Sequence, residues 1–139
     1  MRNLVFASLV LLVLFSCQGE GKKSPGLDAE PSPERVNELA AFYFGTLPCE
    51  DCDGIETLLS LNADVDRTFT LEERPTGKNR NTKMDGTWTV DGDVVILNSE
   101  SGSTKYQVTD KGVVSFDSNG NKRDEASAKK YLLRKVQGE

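Results

Sequence analysis

Hydrophobic positions fall into three textures along the chain. Residues 4–15 are almost continuously apolar, whereas from Gln18 to about Pro33 the chain is polar and carries Gly19, Gly21, Pro25, Gly26, Pro31 and Pro33. After Ala41, short β-branched and aromatic runs alternate with glycine turns, the signature of an all-β antiparallel meander. This texture predicts strands near Phe42–Leu47, Gly54–Leu61, Thr68–Glu73, Gly86–Val90, Val94–Asn98, Thr104–Thr109, Val113–Asp117 and Lys130–Arg134. The clearest hairpin joins Thr87–Val90 to Val94–Leu97 through Asp91-Gly92, a pair that readily takes the positive φ angles of a type I′ turn. Strands this short leave exposed edges unless the sheet curls and closes, so a small barrel is expected. Alternation places Phe69 and Leu71, Trp88 and Val90, and Tyr106 and Val108 on its interior face. Ser32 followed by Pro33 reads as the N-cap and first position of a short helix, the other reading being more linker.

The apolar run is too short to remain as a spanning helix, which needs about 20 residues. Preceded by Arg2, it has the form of a signal peptide's core. It ends Leu14-Phe15-Ser16-Cys17, which resembles the lipobox of bacterial lipoproteins. Residues 1–16 are therefore expected to be removed, leaving Cys17 as the first, lipidated residue of the mature protein. Two or more acyl chains anchor a protein to a bilayer without a helix. Residues 17–41 would then be the tether and short helix, and residues 42–136 the barrel domain.

Composition sharpens this picture in two places. The full chain carries a net charge of −5, and removing Arg2 with the leader takes it to −6, so nucleic acid is an improbable partner. There is no histidine, which excludes Ser-His-Asp and Cys-His catalysis and His-ligated zinc. Paired carboxylates can run glycosidase chemistry, but here they crowd the turns, where they are usually solvated. No enzyme activity is expected.

Lipidation of Cys17 leaves two cysteines, in Leu47-Pro48-Cys49-Glu50-Asp51-Cys52-Asp53-Gly54-Ile55. A Cys-x-x-Cys in an exported protein can be a structural disulfide, a thioredoxin-like redox site, half of a zinc site or a soft-metal site. Neighbouring Glu50, Asp51 and Asp53 should raise thiol pKa values and blunt redox catalysis, and a closed zinc site lacks further ligands. A structural disulfide is the plainest reading, with Cu(I) binding by reduced Cys49 and Cys52, and Met84 as a conceivable third ligand, the alternative.

The stretch from Tyr43 to Thr57, with Gly86-Thr87-Trp88-Thr89-Val90 and Tyr106, closely resembles the N-terminal domain of the NlpE family. The resemblance implies a small lipocalin-like barrel in an outer-membrane lipoprotein linked to copper homeostasis, surface adhesion or envelope-stress signalling. It places Cys49 and Cys52 at the family's Cys-x-x-Cys and Cys17 at its lipidated cysteine. The domain would lie in the periplasm or at the surface, with the membrane and an envelope protein as partners and copper as the one cofactor in question. Some members carry a second, OB-like domain, which this chain is not expected to contain, so a signalling role that requires that domain is not implied. The alternative functions are a lipocalin-like carrier of an apolar ligand and, less favoured, a thiol-disulfide oxidoreductase.

Overall fold

The computed structural model describes residues 30–137, so the leader, Cys17 and most of the tether lie outside the described residues. The elements run α1 (Pro33–Leu39), β1 (Phe42–Leu47), β2 (Ile55–Leu61), β3 (Thr68–Pro75), β4 (Thr82–Asp91), β5 (Val94–Ser99), β6 (Gly102–Val108), β7 (Gly112–Ser115), α2 (Glu125–Ala128) and β8 (Leu132–Val136). Each strand pairs antiparallel with its neighbour in sequence, and β8 returns to β1 through Phe42↔Val136, Tyr43↔Lys135 and Phe44↔Arg134. The result is a closed eight-stranded barrel with no open edge. The seam between β1 and β8 is tight at Gly45, where a Cβ would come within 2.5 Å of the Leu132 carbonyl oxygen.

All of the expected strands form, several with shifted ends, while α2 was not anticipated. The β4–β5 hairpin differs from the expected turn. Asp91 pairs with Val94 as the last rung, so the central residues are Gly92 and Asp93, and only Gly92 has positive φ, at +60°. That is the pattern of a type II′ turn, in which glycine takes the first central position.

Alternation along the strands fills one half of the barrel with apolar side chains. Phe69, Trp88, Leu59, Leu97, Val95 and Leu133 are each at most 2% exposed. Helix α1 closes this end: Ser32 caps it by accepting from the Arg35 amide, and Val36 and Leu39 join the core. Three hydrogen bonds fix the plug, from Tyr43 Oη to the Leu39 carbonyl at 2.8 Å, from Lys135 Nζ to the Glu38 carbonyl at 2.7 Å and from Arg35 to the Gly92 carbonyl at 3.4 Å. Trp88 Nε1 donates to the Asn62 carbonyl at 2.8 Å, satisfying the indole's one polar atom inside the core. The N-terminal helix is thus part of the barrel's packing.

Candidate functional site at the barrel mouth

The up-and-down order sends the β1–β2, β3–β4, β5–β6 and β7–β8 connections to the end opposite α1. This end is open. A cavity of about 940 Å³ enters the barrel there, with Leu71, Met84 and Tyr106 among its deeper residues and Leu47, Pro48 and Ile55 on its rim. The rim residues flank the β1–β2 loop, which carries the cysteine pair.

Cys49 and Cys52 are joined by a disulfide, with Cα atoms 5.3 Å apart. Both cysteines are half-buried, and Glu50, Asp51 and Asp53 around them are exposed. The loop is tied to its neighbour by the Thr76 amide, which donates to the Gly54 carbonyl at 2.9 Å, and by a Lys78–Asp51 ion pair at 3.4 Å. The Cys49 sulfur lies 3.3 Å from Asp51 Oδ1, and the donor atoms of Cys49, Asp51 and Cys52 fall within 4.8 Å of one another. Disulfide sulfurs are poor metal ligands, so this group becomes a two-thiolate, one-carboxylate donor set only after reduction. Met84 lines the cavity and packs against the core.

Inside the mouth two polar groups stand where alternation would place apolar ones. Phe69 and Leu71 point inward on β3, and the next inward position is Glu73. Its carboxylate accepts from Thr82 Oγ1 at 3.3 Å and joins no ion pair among the described residues. Tyr106, 3% exposed, lines the same cavity, and its hydroxyl makes no hydrogen bond to protein among the described residues. Burial pushes the Tyr106 phenol well above its ordinary range, and the nearby Glu73 charge pushes it further the same way. The sequence placed Tyr106 on the interior face and among the residues of the NlpE resemblance, but assigned it no ligand role and passed over Glu73. Extending the Phe69/Leu71 alternation by one step would have exposed a charge on the interior face.

A closed meander barrel, floored by a helix and bearing its cysteine loop at the mouth, defines the class as a small barrel domain of the kind found in bacterial envelope lipoproteins. The model of the NlpE N-terminal domain matches residues 43–125. The chain is 31% identical over 106 residues to lipoprotein NlpE of Escherichia coli K12, the match covering 72% of this chain and 42% of that protein. A crystal structure described as a Shewanella oneidensis lipoprotein is similar at 30% identity and a TM-score of 0.60, covering 77% of this chain and 97% of that one. That of the Cpx pathway activator NlpE from E. coli is similar at 30% identity and a TM-score of 0.53, covering 63% of this chain and 47% of the other. The chain belongs to the NlpE lipoprotein family and spans less than half the length of the E. coli relative.

Proposed function

We propose that the protein is a non-enzymatic sensing module of the bacterial envelope, held to the outer membrane by lipid on Cys17, whose responsive element is the Cys49–Cys52 loop. One observation carries this reading: the pair sits on a half-buried rim loop, outside the core that holds the barrel together. The chain-entropy model assigns a four-residue disulfide loop only about 1.9 kcal/mol. Reduction can therefore reshape the loop while the strands stay paired.

Reduced Cys49 and Cys52, with Asp51 beside them, would offer Cu(I) two soft ligands and a compensating negative charge. Thiolates must form for the metal to bind, so affinity should strengthen as pH rises. The similarity to the Cpx pathway activator NlpE of E. coli supports an envelope-stress role for this chain. The test is a competition titration of Cu(I) into the reduced protein and into Cys49→Ser/Cys52→Ser, with amide spectra recorded for the oxidised and reduced forms. Tight binding lost in the variant, with spectral changes centred on residues 47–55, is the expected result. Equal weak binding and superimposable spectra would reduce the pair to a staple.

A further inference from the structure

The cavity differs from what a carrier of wholly apolar molecules requires. Such a site is lined by apolar groups with few polar atoms, each meeting a specific ligand group. Here the deeper wall is apolar, through Leu71, Met84 and the Tyr106 ring, but Glu73 projects inward just above it. In the strand register Glu73 lies opposite Thr57 on one side and Thr82 on the other, so its neighbours supply hydroxyls and no cation.

Two of the cations near the mouth are engaged elsewhere, and the third is outnumbered by carboxylates. Lys83, exposed on β4, lines the cavity and joins no ion pair among the described residues. Glu73, Asp85 and Glu100 line it too, so the charged groups of the wall remain predominantly acidic. Arg123 is turned to the Ser115 and Phe116 carbonyls and stacks 3.3 Å over the Tyr131 ring. Lys78 is spent on Asp51. Glu73 is half-buried at the open mouth, and its one protein partner is the exposed Thr82 hydroxyl. The unpartnered Tyr106 hydroxyl adds a second polar group with no protein ligand. One guest could meet both groups.

We infer that the open half of the barrel is a binding site for a small amphipathic organic cation, its ammonium group on Glu73 and its apolar tail against Leu71, Met84 and Tyr106. The Tyr106 hydroxyl accepts a second hydrogen bond from the ammonium, which has several donors to place. The cavity, about 940 Å³ with its open mouth, lies within the range of small-molecule sites, roughly 300–1,000 Å³. Size alone would admit many guests. The charge of the wall selects among them, because an anion would meet Glu73, Asp85 and Glu100 against the single Lys83, and a neutral molecule would leave the inward carboxylate unpaired. The site shares its rim residues Leu47, Pro48 and Ile55 with the flanks of the cysteine loop, while Leu71, Glu73, Met84 and Tyr106 lie on other strands.

The test uses matched six-carbon probes, hexylammonium, hexan-1-ol and hexanoate, titrated into the mature chain from residue 17 with Cys17→Ser. The described barrel closes on its own core, so this soluble form keeps the site intact. Binding is followed by amide and methyl chemical shifts. Hexylammonium should give saturable shifts at Leu71, Met84 and Tyr106 and bind about tenfold more tightly than hexan-1-ol, with hexanoate weakest. Glu73→Gln, a nearly isosteric change, should bring the amine down to the alcohol while leaving the melting temperature close to that of the parent. Tyr106→Phe should weaken the amine by a smaller factor. The inference is overturned if no probe saturates at these residues, if the alcohol or the acid binds as well as the amine, or if Glu73→Gln leaves the preference unchanged.

Discussion

Tyr43 links the helical plug to the first strand, and replacing it with phenylalanine separates two effects by pH. The residue is 2% exposed and its hydroxyl donates to the Leu39 carbonyl at 2.8 Å. Burial, with the Glu38 charge adding to it and Arg35 opposing it, pushes the phenol up to about 12 from its ordinary 10.0. At neutral pH, Tyr43→Phe leaves a buried carbonyl without its donor, a loss of roughly 1–3 kcal/mol. At alkaline pH this advantage shrinks. The unfolded chain ionises its tyrosine first, so the wild-type contribution is fully present below pH 10 and is lost as pH rises toward 12. One unit above the unfolded pKa this amounts to about 1.4 kcal/mol, with a ceiling of about 2.7 kcal/mol for a two-unit shift. Phenylalanine has no such dependence. Urea unfolding of both proteins at pH 8 and pH 11, followed by fluorescence of the single tryptophan, Trp88, measures the difference directly. The stability gap between wild type and variant should narrow by about 1.4 kcal/mol at pH 11. A gap that is the same at both pH values would refute the buried, hydrogen-bonded phenol. The other groups are common to both proteins, so their contributions cancel in the comparison.

Gly86→Ala should cost about 1–3 kcal/mol, because the new methyl group would overlap the Asn98 carbonyl oxygen and meet the Phe69 ring at 3.0 Å. A thermal melt equal to wild type would show that the β4–β5 approach is looser than described. Cys17→Ala should leave the protein unlipidated and move it from the detergent to the aqueous phase on partitioning. Unchanged partitioning would remove the anchor from the proposal.

The barrel was legible because its information is local. Two-residue alternation and glycine turns mark each strand, and in a meander every strand pairs with its sequence neighbour, so locating strands nearly fixes the topology. What escaped was non-local. The role of α1 as a floor depends on Tyr43, Lys135 and Gly92 arriving from three separate strands or turns. Helix α2 has a single turn's worth of residues, capped by Asp124, and no buried side chain to give it a periodic signal. The type II′ turn was missed because register, set by the Asp91↔Val94 rung, decides which residue of Asp91-Gly92-Asp93 occupies the corner. At the mouth, the Cys-x-x-Cys was visible as a motif, whereas Glu73 looked like an ordinary strand-end charge. Only its position two residues beyond Leu71, with the barrel closed around it, makes it interior.

The plug gives the barrel a polarity with mechanical meaning. The chain enters the described structure at the sealed pole, where Glu30 pairs with Arg67 in the β2–β3 turn. A lipid on Cys17 would therefore pull on the floor helix, and the mouth, with its cysteine loop, would face away from the point of attachment. Residues 17–29, fully extended, reach at most about 45 Å. The barrel is a cup whose chain enters at its base, its opening at the opposite pole. Tension applied through that entry point would load the α1 hydrogen bonds to Tyr43 and Lys135 before it disturbed the rim.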